Sequence, residues 1–253
     1  MKLTVLCDNY TLIDRYFLGE PALSFLIETE GKSFLFDTGY SDVFIKNAEK
    51  MGIDLNSIDG IFLSHGHNDH TGGLKYLDFL KRKTDVYGHP DIDRLITYEG
   101  LDISMPRKLP NNLNLIKVKE PFAVNERLVY LGQIERTLQK VYPLEDDYLW
   151  DDTALAYKGE NGLFIISGCS HSGIINICEF AKKVTGVDKI DSVIGGFHIL
   201  NNDRVAREVG RYFHNEGITR IYPCHCTDLK ARIILDRYVE VKEIGVSSVL
   251  EVS

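Results

Sequence analysis

Short apolar runs that end in turn residues alternate with amphipathic stretches along the first half of the chain. The runs are rich in β-branched and aromatic residues, which is typical of buried strands. They predict strands at Leu3–Asp8, Ser24–Thr29, Lys32–Asp37, Ile58–Ser64 and Val86–Gly88. Apolar residues that share one helical face predict helices over residues 41–51 and over Leu74–Lys83, where leucines recur every third residue.

The same alternation returns in the second half. Thr153–Lys158 and Gly162–Ser167 predict a hairpin, because the glycines at 159 and 162 flank a tight turn. The other elements predicted here are strands at Ser192–Phe197 and Ile218–Cys224 and helices at Ile174–Val184, Arg204–Asn215 and Leu229–Tyr238.

Residues 100–150, between these two parts, are less regular. They carry only weak strand patterns, at Asn114–Val118 and Arg127–Leu131, and we interpret them as a loop-rich arm over a cleft. No repeat, low-complexity tract or linker interrupts the chain, so we expect one domain over residues 1–253. Two β/α halves predict an α/β fold in which two sheets stack with helices outside, because that arrangement buries the strands on both faces.

Charge and composition limit the kinds of partner that we expect the protein to bind. The chain has 37 acidic residues against 29 Lys and Arg, a net charge of −8, whereas nucleic-acid binding depends on basic patches. We therefore expect no nucleic-acid partner. No apolar run approaches the roughly 18 residues of a membrane helix, and the first residues lack the apolar core of a signal peptide. Five widely spread cysteines fit a reducing compartment, so a cytoplasmic protein without a membrane partner is expected.

The segment from Ser64 to Leu74, SHGHNDHTGGL, has the highest density of potential metal ligands in the chain. Imidazole and carboxylate are ligands for zinc, iron and manganese. In a loop, His65 and His67 can bind one ion while Asp69 and His70 turn toward a second, and the glycines let the backbone bend tightly. A polar loop with locally hydrogen-bonded histidines is the alternative, but it fits a single histidine better than this H-x-H-x-D-H spacing.

Three later strands each end near a histidine. His171 follows the predicted strand Gly162–Ser167. His198 directly follows Ser192–Phe197, and His225 directly follows Ile218–Cys224. Each histidine alone fits a hydrogen-bonded loop residue as well as a metal ligand. Because strand ends in one sheet converge on one edge, the three together favour ligands.

The SHGHNDH segment, the run FLFDTG at residues 34–39 and the order of the later strand ends resemble the metallo-β-lactamase superfamily. The resemblance covers nearly the whole chain. It implies a four-layer αββα sandwich with a dinuclear metal site at one edge, in which Asp37 orients the metal-binding loop. It also implies that His171 joins His65 and His67 at the first ion, and that His225 joins the second.

One departure from the family pattern concerns the ligand that bridges the two ions. Most relatives place an aspartate where Cys169 stands, so either Cys169 bridges as a thiolate or His171 replaces the missing ligand and the bridge is lost. His198 remains as a ligand, a proton donor or a substrate contact, and we favour the last two. Cys224 and Cys226 are interpreted as buried small residues flanking His225.

The segments GCSHSGIIN (residues 168–176), GGFH (195–198) and CHCT (224–227) are similar to one branch of the superfamily. Its members are labelled as resembling 7,8-dihydropterin-6-methyl-4-(β-D-ribofuranosyl)-aminobenzene-5'-phosphate synthase. That label implies a phosphorylated, pterin-related substrate.

Two divalent ions are therefore the expected cofactors, with zinc favoured over iron or manganese. Held about 3.5–4 Å apart, they would lower the pKa of a shared water toward roughly 7 for attack on a small phosphorylated or ester-type metabolite. Asp69 would hold the nucleophile and His198 would protonate the leaving group.

The start of the helix predicted at Ile174 favours an anionic substrate. Free N–H groups there attract anions, and Ser170, Ser172 and Gly173 are the candidate contacts, with Glu135 in the arm as a further one. A plain N-cap role for Ser172 is the simpler alternative. A metal-dependent synthase, a redox protein and a metabolite-binding protein are the other functions considered. Diiron oxygen reductases carry a glutamate where His67 stands, and a binding protein would be expected to have lost ligands.

Overall fold

A computed structural model of the chain describes residues 1–140 and 149–253. Part of the predicted arm, residues 141–148, lies outside the described residues. The strands are β1 Lys2–Cys7, β2 Ser24–Thr29, β3 Lys32–Phe36, β4 Gly60–Phe62, β5 Thr84–Gly88, β6 Thr97–Tyr98, β7 Leu101–Asp102, β8 Leu113–Lys117, β9 Phe122–Ala123, β10 Leu128–Tyr130, β11 Ala154–Gly159, β12 Gly162–Ser167, β13 Ile190–Gly195, β14 Arg220–Pro223, β15 Glu240–Val241 and β16 Val249–Glu251. The helices are α1 Val43–Lys50, α2 Asn68–Thr71, α3 Ile174–Thr185, α4 Asp203–Asn215 and α5 Leu229–Leu235, with 3₁₀ turns at Leu55–Ser57 and Gly72–Tyr76.

The described residues form two compact units. Unit 1 comprises residues 1–119, 149–151 and 245–252, and unit 2 comprises residues 120–140, 152–244 and 253. Each unit has its own hydrophobic core. The single domain over residues 1–253 stays a prediction.

Unit 1 is built on a sheet with the strand order β16-β1-β2-β3-β4-β5-β8. In this sheet β3, β4, β5 and β8 run parallel to one another, so the carboxyl ends of β3, β4 and β5 lie at one edge. The core packs α1 against these strands through fully buried residues such as Leu35, Phe44 and Ile61. This parallel arrangement sets the residues after β3 and after β4 side by side, where the histidine-rich segment begins.

Unit 2 is built on a sheet with the strand order β15-β14-β13-β12-β11-β10-β9. Strands β12, β13, β14 and β15 are parallel, and the rest pair antiparallel. Ile165, Val193 and Ile221 stand on three neighbouring parallel strands and are fully buried in the core of this unit. The carboxyl ends of these three strands therefore meet at one edge of the sheet.

The predicted hairpin is present: β11 and β12 pair antiparallel, with Gly159 opposite Gly162. The weak strand patterns in the arm correspond to β8 and β10, each within one residue of the predicted limits. The predicted helices beginning at Ile174 and Arg204 are α3 and α4.

The helix predicted over Leu74–Lys83 is wrong. The chain instead forms a 3₁₀ turn at Gly72–Tyr76 and then further turns, in which the N–H of Leu77 bonds to the carbonyl of Leu74 and the N–H of Leu80 bonds to that of Leu77. A 3₁₀ helix repeats every three residues, so leucines spaced by three stay on one face of such turns but drift around an α-helix. All three leucines are buried in the core of unit 1.

None of the helices in the part of the chain that the structure describes is long and apolar enough to cross a membrane.

Candidate metal centre

The histidine-rich segment follows β4 in unit 1 and is held by backbone hydrogen bonds to chain segments far away in sequence. The N–H of Thr38 donates to the carbonyl of His70 at 2.7 Å, and the N–H of Leu23 donates to the carbonyl of Asp69 at 3.2 Å. Gly73 lies so close to the chain that a Cβ there would sit 2.0 Å from the carbonyl oxygen of Thr38. The packing therefore requires glycine at this position, and it fixes the path of the loop.

Within this loop the metal-binding atoms of His65, His67 and Asp69 lie within 4.8 Å of one another. The imidazole rings of His65 and His70 lie beside each other, with centroids 4.3 Å apart and planes tilted by 53°. All three histidines are buried, whereas the Asp69 side chain is 30% exposed. A buried group of imidazoles with one carboxylate open to solvent is a donor set that fits a zinc-class divalent ion.

Asp37, at the end of β3, orients His70. Its carboxylate is fully buried and accepts hydrogen bonds from the Ser64 N–H at 2.8 Å and the Ser64 hydroxyl at 2.7 Å. The same carboxylate lies 2.7 Å from Nδ1 of His70. A carboxylate can only accept, so Nδ1 of His70 carries the proton and the lone pair of Nε2 is left for a metal. This is the contact expected from the resemblance, although its effect on metal binding stays a prediction.

Asp151 also holds the loop and was missed from the sequence. It accepts from the N–H of Gly66 at 2.7 Å and from the Arg94 guanidinium at 3.2 Å. Burial raises the pKa of the Asp151 carboxyl, while the Arg94 charge and the Gly66 hydrogen bond oppose that rise. Asp37 thus holds the loop at Ser64 and His70, and Asp151 holds it at Gly66 between them. The only sequence signal was a pair of aspartates directly before an apolar strand.

In unit 2 the three histidine-bearing strand ends are brought together. The N–H of Gly196 donates to the carbonyl of Gly168 at 2.8 Å, and the N–H of Cys224 donates to the carbonyl of Gly195 at 2.9 Å. The rings of His171 and His198 approach to 4.3 Å between centroids. His171 and His225 are buried, and His198 is exposed.

Two cysteines join His198 at this edge of unit 2. The sulfurs of Cys169 and Cys226 and a ring nitrogen of His198 lie within 4.8 Å of one another. The interpretation of the CHC cysteines as buried flanking residues holds for Cys224, which is fully buried. It is wrong for Cys226, which is partly exposed and turns its sulfur toward this cluster.

The thiol of Cys226 has a lower pKa than the thiols of Cys7 and Cys178. Desolvation raises its pKa, but hydrogen bonds with Cys169 and His198 and the charges of His225 and His198 outweigh desolvation and hold the pKa well below its usual value. In contrast, burial raises the pKa of the Cys7 and Cys178 thiols.

The proposed anion contacts before α3 have partners of their own in unit 2. Ser172 donates its N–H to Asp152 at 2.8 Å and also bonds to it through its hydroxyl, and the Ser170 hydroxyl donates to the carbonyl of Gly196 at 2.6 Å. The N-cap of α3 is Gly173, with a φ of 89°, so the simpler N-cap role for Ser172 is wrong. An anion at this turn would meet the Asp152 carboxylate.

Glu135, the further substrate contact suggested from the sequence, lies on the surface of unit 2. It forms an ion pair with Lys183 at 2.6 Å, and both side chains are more than half exposed. Its role toward a substrate stays a prediction.

Residues 18–179 match the family model of the metallo-beta-lactamase superfamily. The chain belongs to this superfamily.

Comparison with individual proteins shows which members of the superfamily the chain resembles. The chain is 30% identical to 7,8-dihydropterin-6-methyl-4-(beta-D-ribofuranosyl)-aminobenzene-5'-phosphate synthase of Methanocaldococcus jannaschii, over 91% of this chain and 89% of that protein. A second, uncharacterised protein of the same organism is 31% identical over 90% of this chain and 91% of its own length. Among solved structures, Tm1679, a metal-dependent hydrolase of the β-lactamase superfamily, is 30% identical with a TM-score of 0.89, covering 100% of this chain and 99% of that one. These findings confirm the predicted metallo-β-lactamase fold and the resemblance to the synthase branch.

Proposed function

We propose that the protein is a metal-dependent hydrolase that acts on a small anionic metabolite, of the phosphorylated or ester type. The observation that carries this proposal is the group formed by His65, His67 and Asp69, whose ligand atoms lie within 4.8 Å of one another in a loop fixed by buried carboxylates. The 30% identity with a metal-dependent hydrolase of the same superfamily supports it.

The proposed ligands are those that the resemblance implies: His65, His67 and His171 for one divalent ion, and Asp69, His70 and His225 for a second. When bound, the ions would polarise the electrophile and lower the pKa of a water toward about 7. The chain's own groups then act on the proton and the substrate. The partly exposed carboxylate of Asp69 would hold the attacking water. His198, exposed at the strand end, would donate a proton to the leaving group.

A cavity in unit 1 supports the proposal that the substrate is anionic. It has a volume of about 360 Å³ and is lined by Asn68, which adjoins Asp69, and by Lys75 and Arg107. The Lys75 ammonium lies 5.9 Å from the centre of the Tyr40 ring, which also lines this cavity. Asp102 also lines the cavity and pairs with Arg107 at 3.8 Å. The two cations outnumber this carboxylate, and together with the aromatic ring they are suited to a phosphate or carboxylate attached to a flat ring.

We expect Lys75→Gln or Arg107→Gln to raise KM for an anionic substrate by on the order of tenfold, which corresponds to about 1.4 kcal/mol, with kcat little changed. The reason is that these cations would contact the bound substrate and the transition state equally. Steady-state kinetics at fixed ionic strength measure the changes in KM and in kcat separately. Lys81→Gln is the matched control, since Lys81 is an exposed lysine of the same unit outside the cavity lining. An unchanged KM in both cavity variants would remove the cavity from the proposal.

The function itself is tested on protein purified without added metal. We expect about two divalent ions per chain by elemental analysis, together with hydrolysis of model phosphate esters or carboxylic esters. Activity should disappear on chelation and return with zinc, manganese or iron. Metal content near zero, with no hydrolysis after each metal is supplied, would overturn the proposal.

A metal-dependent synthase is the second candidate, because one relative at 30% identity is named as a synthase. Product analysis separates the two. A hydrolase adds the elements of water to one substrate, whereas a synthase joins two substrates and shows no turnover on either one alone.

A further inference from the structure

The strand ends of unit 2 also bring two cysteines and a histidine together, in a cluster that shares Cys169 with other candidate metal-binding groups. Cys169 follows β12, His198 follows β13 and Cys226 follows β14, and these three strands are neighbours in one parallel sheet. Their two sulfurs and one imidazole nitrogen lie within 4.8 Å of one another. In a tetrahedral zinc site with bonds of about 2.3 Å to sulfur and 2.0–2.1 Å to nitrogen, ligand atoms are roughly 3.5–3.8 Å apart. The cluster therefore needs little movement to close around an ion.

Backbone groups hold the sulfur of Cys226 in position within this cluster. The N–H of His198 points at the sulfur of Cys226 at 3.3 Å, and the thiol of Cys226 lies 3.5 Å from the carbonyl of Cys169. A Cβ on Gly196 would sit 2.5 Å from the same sulfur, so only glycine leaves it room. His198 has a φ of 48°, in the left-handed region that non-glycine residues adopt uncommonly.

We propose that Cys169, Cys226 and His198 bind a zinc-class ion as a Cys₂His site with one open position. Both sulfurs would bind as thiolates, with any thiol proton still present released to solvent, and thiolate sulfur would favour zinc over magnesium or calcium. Because Cys169 is buried and His198 is exposed, the fourth position would face solvent or a ligand. This assignment replaces two roles considered above. Cys169 would not bridge two histidine-bound ions, and His198, with a ring nitrogen on the metal, would not be the proton donor to the leaving group.

Cobalt(II) titration of the reduced, chelator-stripped full chain tests the proposal, because cobalt bound to thiolate shows a near-ultraviolet charge-transfer band that cobalt bound only to histidine and carboxylate lacks. We expect this band in the wild-type protein. It should fall by about half in Cys169→Ser and in Cys226→Ser, since each removes one of two sulfur donors, and it should vanish in the double variant. His198→Ala should keep the band and change the visible spectrum.

Two controls separate this site from the histidine loop. Cys178→Ala removes a buried thiol of α3 in the same unit and should leave the band unchanged. His67→Ala should lower total cobalt uptake without changing the band. Cobalt uptake with no charge-transfer band would overturn the proposal. So would a band that Cys226→Ser leaves unchanged, because Cys169 alone would then account for it.

A measurement on the wild-type chain covers the case in which the serine variants do not fold. Alkylation of Cys226, followed by peptide mass spectrometry, should slow at least several-fold when zinc is added to the reduced protein. Equal alkylation with and without zinc would contradict the site. A Cys169–Cys226 disulfide that forms in air, combined with no metal protection after full reduction, would replace it with a redox pair.

Discussion

His67→Ala is expected to abolish metal-dependent hydrolysis. His67 contributes one of three ligand atoms that lie within 4.8 Å of one another, and alanine supplies none. We expect kcat/KM to fall by at least about 10³-fold, equivalent to roughly 4 kcal/mol of transition-state stabilisation. Kinetics on the best model ester and metal analysis of the same preparation measure the two losses together.

His214→Ala is the matched control for this variant. His214 is an exposed residue of α4, in unit 2, and removing its ring should change neither metal content nor activity. Circular dichroism should show both variants folded. If His67→Ala retains full metal content and wild-type kcat/KM, the His65–His67–Asp69 group is not the metal centre.

Asp37→Asn is expected to weaken metal binding by about 10- to 100-fold, even though the side chain keeps its shape. Asp37 accepts from Ser64 and from Nδ1 of His70 at the same time. An asparagine presents an N–H₂ group in place of one oxygen, and this group must face either the Ser64 amide or the Ser64 hydroxyl and the His70 ring. In the second orientation Nδ1 of His70 becomes the acceptor, so the proton moves to Nε2 and blocks the ligand lone pair.

Competition against a zinc chelator measures this affinity, and the matched control is Asp59→Asn. Asp59 belongs to the same unit and accepts from the N–H of Ser33 at 2.9 Å, in an exposed position. We expect the control to bind zinc as the wild-type protein does. Equal affinity in both variants would mean that Asp37 stabilises the loop without controlling the His70 tautomer.

The sequence predicted best where the signal was local. The β11–β12 hairpin was found because its turn and both strands occupy a single short stretch. The metal-binding loop was found because three histidines and an aspartate fall within six residues. The helix over Leu74–Lys83 failed although its pattern was also local. A regular spacing of three was interpreted as one face of an α-helix, although it fits 3₁₀ turns better.

The positioning residues Asp151 and Asp152 could not be found in this way. Asp151 reaches Gly66 across 85 positions of sequence, and Asp152 reaches Ser172 across 20. A buried carboxylate and a surface carboxylate look the same in a sequence, because burial depends on which backbone groups the fold brings beside them.

What the sequence by itself determined is the superfamily, the strand and helix content, and the loop in which His65, His67, Asp69 and His70 stand together. What only the tertiary structure decided is how each side chain is used. It gave Asp37 both Ser64 and His70 as partners, and it turned Cys226 toward Cys169, 57 positions away. The physical reason is that ligand chemistry is a property of residue type and spacing, whereas protonation, orientation and partner choice depend on parallel strands placing distant residues within hydrogen-bond range.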